Sequence, residues 1–240
     1  MLLKDKVVLV TGGARAVGAG IVRSLAREGA AVAINCFNSL DEANELAGSI
    51  RARGTEAGVW QCDAREFEDT RRMVDEIVEK YGRIDAVVNN ATSGSKVGEW
   101  DPEHWQNYIN CYEGEVKFVI STLYAAWPHM KAQGGGRIVN IITEQWNEGS
   151  SGYVTHVAAK AAVVGATRWL VPRLAPDNIP STWSPLAGLE PREPTTATHP
   201  TTHMSLQPRS DESPRPKMSE TPACSSSVIL ASISAVTTSR

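Results

Sequence analysis

The chain has 240 residues, 42% of them hydrophobic and 21% charged, with a formal net charge of −3. That length and apolar content fit one large α/β domain with a buried core, and the charge offers no basic surface for nucleic acid. No apolar run approaches membrane length, Met1–Lys6 leads straight into a strand pattern with no signal peptide, and the four cysteines (Cys36, Cys62, Cys111, Cys224) lack metal-ligand spacing, so a cytoplasmic protein without a metal is expected.

In chain order, Val7–Val10, Ala31–Asn35, Glu56–Cys62, Ile84–Val88 and Arg137–Ile142 read as short buried strands. Helical periodicity alternates with them over Val17–Glu28, Leu40–Arg53, Glu66–Tyr81, Pro102–Lys131 and Gly152–Leu174. Strand–helix alternation builds βαβ units and a doubly wound parallel sheet of Rossmann type. Of the 13 prolines only Pro102 and Pro128 precede Pro172, and the stretch from Ser181 to Arg240 is rich in Ser and Thr without amphipathic period. Residues 1–179 therefore read as the folded domain and 180–240 as an irregular tail, in which only Ser227–Val236 has the pattern of a strand or short helix. His199 and His203 are four apart, but Pro200 between them opposes a helix and a metal site.

The chemistry-bearing residues fall at the ends of the strands. Thr11-Gly12-Gly13-Ala14-Arg15-Ala16-Val17-Gly18 follows the first strand and opens the first helix, the context of a dinucleotide-binding turn. A pyrophosphate can approach backbone amides there, at a helix N-terminus. The second strand ends Asn35-Cys36-Phe37-Asn38-Ser39 with no carboxylate for ribose hydroxyls, while Arg15 in the turn can meet a 2′-phosphate. NADP is therefore expected over NAD. Asp63-Ala64 follows the third strand and Asn89-Asn90-Ala91-Thr92 the fourth. Beyond the fifth come Thr143, then His156 thirteen residues later and Lys160 four after that.

Together these motifs resemble the short-chain dehydrogenase/reductase family over residues 1–179, and most nearly its 3-oxoacyl-carrier-protein reductase branch. The family's turn is TGxxxGxG; Thr11, Gly12 and Gly18 match, and Ala16 replaces the middle glycine, where a methyl group is expected to crowd the phosphate or exclude a positive φ. The resemblance implies that Thr11, Gly12, Arg15, Val17, Gly18, Asn38, Ser39, Asp63, Ala64, Asn89, Ala91 and Lys160 hold the dinucleotide. It implies a catalytic set of Asn110, Thr143, His156 and Lys160. Asn110 would hold a relay water, Thr143 a substrate carbonyl, and Lys160 the ribose hydroxyls. His156 stands where the family has its proton-donating tyrosine. Its ring nitrogen falls about 2 Å short of a phenol oxygen, so a water would have to bridge. A neighbouring Lys⁺ disfavours the imidazolium. Tyr153 lies about 10 Å along a helix from Lys160 and reads as a loop-packing residue, and Trp146 follows Thr143 toward the substrate side.

The expected activity is reduction of a small-molecule ketone, impaired by histidine. A redox-inactive dinucleotide-binding homologue, a dehydratase or isomerase using neutral histidine as base, and a non-functional gene product are the other readings. By analogy the two long helices imply a homo-oligomer. The family's later strands and substrate loops are absent from the tail as written. Back-translated with GC-rich codons and read one base on, Pro180–Gly188 becomes VDVVAPGW, Lys217–Ser219 allows DV and Cys224–Ala231 allows VFLVSD. A frame change near the Ile179–Pro180 junction is the preferred reading of the tail. A five-stranded sheet with an uncovered fifth strand follows from it.

Overall fold

The computed structural model describes residues 1–93, 102–143, 154–186, 229–231 and 233–234. Within them the chain forms β1 (Val7–Val10), α1 (Ala16–Arg27), β2 (Ala31–Cys36), α2 (Leu40–Arg51), β3 (Ala57–Gln61), α3 (Phe67–Tyr81), β4 (Ala86–Asn89), α4 (Trp105–Ala132), β5 (Arg137–Thr143), α5 (Val154–Leu174) and β6 (Ser181–Leu186). All strands are parallel, in the order β3-β2-β1-β4-β5-β6. The order in which successive strands are added reverses between β1 and β4, and a crevice opens outside the carboxyl ends of the strands at such a switch point.

The alternation of side chains along each strand explains the two-sided core. Val8 and Val10 of β1, Val32 and Ile34 of β2, and Val139 and Ile141 of β5 face α1 and α2, where Ile21, Leu25, Leu46 and Ile50 cover them. Val7, Leu9, Val87 and Ile138 face the other way onto Met73, Leu123, Met130 and Leu170 of α3, α4 and α5. In α1 the buried residues Ala19, Ile21, Val22, Leu25 and Ala26 recur at helical spacing. Gly82 ends α3 in a left-handed cap at φ 77°, and its N–H donates to the carbonyl of Val78 at 2.7 Å.

The sheet has six strands, not five. Ser181–Leu186 pairs along β5 from Ile138↔Ser181 to Thr143↔Leu186, so the fifth strand is covered. The entry to β6 is a left-handed turn at Asn178 (φ 56°), whose side chain donates to the carbonyl of Gly134. Ser181 and Ser184 are buried, and Trp183 packs against Val119, Ile142, Val163 and Val164. Pro185 is compatible with the strand because β6 lies at the edge of the described sheet. The tail also reaches back to the core: Ile229 and Ile233, 1% and 4% exposed, join the cluster on the α1–α2 face. The irregular tail expected from residue 180 onward thus contributes both a strand and core residues. Cys224, His199 and His203 lie outside the described residues. No helix among the described residues is long and apolar enough to cross a membrane.

Candidate active site

The glycine-rich turn is built from the backbone outward. Thr11 is fully buried; its Oγ1 accepts the N–H groups of Asn90 and Ala91, each at 3.0 Å, and so locks the turn after β1 to the turn after β4. Asn90 Nδ2 donates to the carbonyls of Thr11 and Gly12 at 3.0 and 3.1 Å. Gly12 sits at φ 60°, open to glycine at little cost. At Gly18 a Cβ would fall on the carbonyl oxygen of Gly12, so only glycine lets α1 approach this closely. Ala16 adopts φ 46°, the left-handed conformation that its methyl group disfavours. The N-terminus of α1 has no side-chain cap and no acidic residue in its first turn. Its amides are therefore available to an anion.

Asn35 lies near the end of β2, which carries no carboxylate. It is 2% exposed, and its Nδ2 donates to the carbonyl of Cys62 at 3.1 Å, tying β2 to the chain beyond β3. Beyond it the rim carries cations. Arg15 is 67% exposed at the side chain and only loosely paired with Glu42 at 4.0 Å. Arg65 chelates Asp63, with Nε 2.9 and 3.0 Å from the two carboxylate oxygens, and its guanidinium lies 5.8 Å from the Phe37 ring. The hydrogen bonds from Arg65 hold the Asp63 carboxyl below the usual carboxylate range.

At the other end Glu115 and Lys160 form a buried ion pair, Nζ to Oε2 at 2.7 Å. The second oxygen of Glu115 accepts Thr92 Oγ1 at 2.6 Å and Ser93 N at 3.1 Å. A Cβ at Gly114 would collide with Ser93, so glycine there lets the β4 loop close over α4. His156 is partly buried, and its Nδ1 has no hydrogen-bond partner among the described residues. Burial first, and the Lys160 ammonium second, push its imidazole below the usual value, while Glu115 pulls the other way.

One cavity of about 870 Å³ joins these parts. Of the residues singled out in the sequence, Gly12, Arg15, Val17, Gly18, Asn38, Ser39, Asp63, Ala64, Ala91, Thr143, His156 and Lys160 line it. Three do not. Thr11 acts from behind, through the hydrogen bonds above. Asn89 is buried in a polar chain inside the core: its Nδ2 donates to Asn140 Oδ1 at 2.8 Å and its Oδ1 accepts Thr122 Oγ1 at 2.7 Å. The cavity wall is Asn90 instead. Asn110 is exposed and accepts a hydrogen bond from Gln106, so it does not meet Lys160. Glu115, five residues further along α4, takes that place. The helical periodicity of α4 could have found it, since Glu115 shares the buried face with Cys111, Phe118 and Thr122. Arg65 and Phe37 were also missed, because their contact joins two different strand ends. Tyr153 and Trp146 lie outside the described residues.

The model of the short chain dehydrogenase family matches residues 6–182. The chain is 31% identical over 177 residues to the 3-oxoacyl-[acyl-carrier-protein] reductase FabG of Staphylococcus epidermidis, covering 73% of this chain and 71% of that protein. A short chain dehydrogenase from Burkholderia cenocepacia, solved in complex with NADP, superposes with a TM-score of 0.69 at 32% identity, over 75% of this chain and 72% of the other. NAD⁺-bound xylitol dehydrogenase also superposes at 0.69, at 28% identity, over 74% and 68%.

Proposed function

The chain belongs to the short chain dehydrogenase family, and on that premise we propose that it binds NADP and reduces a small-molecule ketone of the 3-oxoacyl kind. The observation that carries this reading is the meeting, in one cavity, of the glycine-rich turn with Thr143, His156 and Lys160. A dinucleotide fits the residues present: the uncapped N-terminus of α1 offers amides to the diphosphate, and Gly12 and Gly18 leave the backbone bare. Arg15, Asn38 and Ser39 would meet a 2′-phosphate, Asp63, Ala64 and Ala91 the adenosine side, and Lys160 the ribose nearer the reaction. When bound, the dinucleotide supplies the hydride.

This chain's own residues orient the ketone and deliver the proton. Thr143 holds the carbonyl, and His156 supplies the proton through a bridging water, because the imidazole is too short to reach directly. With its imidazole held below the usual value, little imidazolium is present at neutral pH, and slow reduction is expected. The same neutral imidazole supports a second reading, base-catalysed dehydration or isomerisation, which turnover without NADPH consumption would reveal. Exposed Ile120 and Tyr124 on α4 and Trp169 on α5 support a homo-oligomer, testable by light scattering.

Fluorescence titration with NADPH and NADH tests the cofactor. A 2′-phosphate paired with one arginine contributes about 1–3 kcal/mol, so NADPH should bind at least 5-fold more tightly. Equal affinities, or tighter NADH, reject the preference, and failure of both to bind rejects the dinucleotide site.

A further inference from the structure

Glu115, the buried partner of Lys160, has no role in that scheme. Glu115 is 1% exposed and Lys160 6% at the side chain, and they meet at 2.7 Å. Either charge alone would be costly to bury, and the pair is tolerable only with its remaining valences filled. Thr92 and Ser93 fill them for Glu115. Lys160 lies four residues after His156 on α5, and side chains at that spacing share a helix face. Glu115 comes across from α4, which packs along α5. The imidazole therefore faces a cation and an anion together.

We propose that Glu115 is a positioning residue of this site: it fixes Lys160 and compensates the ammonium charge beside His156, so that the imidazole can hold the proton that the substrate oxygen takes up. The proposal rests on the reading of His156 as proton donor. In that step the carbonyl carbon accepts the hydride, the π pair of the C=O bond moves to oxygen, and the oxygen takes the proton relayed from the imidazolium. The ketone is reduced, the hydride donor is oxidised, and neutral imidazole is left to recover a proton from water.

Among the described residues, the charged and titratable groups around His156 are few. Lys160 stands on its own helix and Glu115 on α4. Cys111, one turn before Glu115, has its thiol pushed up to about 11, by burial first and by Glu115 next, and stays neutral through the working range. Among the described residues, the chain after β4 brings Thr92 and Ser93 to the cavity, and the end of β5 brings Thr143.

The test follows the His156 Cε1–H resonance, assigned by its loss in His156→Tyr, from about pH 4 to 8. Glu115→Gln keeps the side-chain volume and removes the charge. Its imidazole midpoint should fall by about one pH unit, and Glu115→Gln/Lys160→Met should bring it back toward that of the unaltered protein, since neither charge remains. The pH profile of kcat for ketone reduction should move down with the midpoint. A merely structural role would lower kcat alike at every pH. If Glu115→Gln does not fold, Lys160→Met alone must raise the midpoint and the double variant must lower it again. An unmoved midpoint in Glu115→Gln, or in Lys160→Met relative to the double variant, overturns the proposal. The expected midpoints with no ketone reduction in any variant would uphold the electrostatic role of Glu115 and reject the reductase reading instead.

Discussion

At position 156 an imidazole stands beside a lysine, with its Nδ1 buried and unpartnered among the described residues. A phenol there would extend about 2 Å further and reach a substrate oxygen without a bridging water. His156→Tyr should therefore raise ketone reduction about 100-fold, the usual contribution of a well-placed acid, as read by steady-state rates with a β-ketoester. An unchanged or lower rate would favour base catalysis by histidine. Ala16 poses a different problem at the same scale. Its φ of 46° strains an L-residue at the mouth of the dinucleotide turn. Ala16→Gly should stabilise the fold by about 1 kcal/mol in denaturant titration and tighten NADPH binding. Destabilisation would mean that the methyl group contributes packing that outweighs the strain.

At the scale of elements, β6 is the informative case. STWSPL has one large apolar residue among its first four, and its buried positions are serines. The ladder to β5 holds it, together with Trp183, over which the Arg168 guanidinium lies at 5.4 Å. Buried hydroxyls weaken this arrangement: Ser181 Oγ and Thr182 Oγ1 have no partner among the described residues. Thr182→Val keeps the shape, removes the unsatisfied group and favours the extended backbone. It should add about 1 kcal/mol to stability, measured as a shift of the denaturant midpoint at constant slope. A loss would show that the hydroxyl is satisfied by water.

For the whole molecule, Ile229 and Ile233 of the tail are part of the core. Ile233 is 4% exposed among Val, Ile and Ala side chains of the sheet and α1. Ile233→Ala should cost about 2–4 kcal/mol, and hydrogen exchange should show protection at 181–186 and 229–234. Full exchange there would return the tail to the irregular reading. His156 also sets a pH dependence. Its pKa is lower in the folded state than in the unfolded chain, so below about pH 6.5 the unfolded state binds more protons. Stability falls as pH drops through that range and recovers above it. The melting temperature should decline from pH 7 to 5, and less so in His156→Tyr. Equal declines would place the sensitive group elsewhere.

The first five strands and the helices between them were legible because parallel strands buried on both faces leave short apolar runs, and amphipathic helices leave their own period. The glycine-rich turn, Thr143, His156 and Lys160 were legible because each follows the carboxyl end of a strand or keeps helical spacing from its neighbour. Asn89 and Asn110 do not line the cavity for the same reason that Glu115 was missed: a motif gives position along the chain, whereas side-chain direction depends on the turn of α4 and the pleat of β4. Ala16 takes a positive φ, the angle that its methyl group was expected to exclude. The sixth strand escaped notice because Ser181 and Ser184 are buried by backbone pairing with β5 and not by their own apolarity. Ile229 and Ile233 meet Val139 and Ile141 of β5 in one cluster from far along the chain, a contact no local pattern encodes. Local periodicity thus dictates the elements and the order of the site, while the pairing of distant edges and the direction of buried polar side chains arise only when the elements pack.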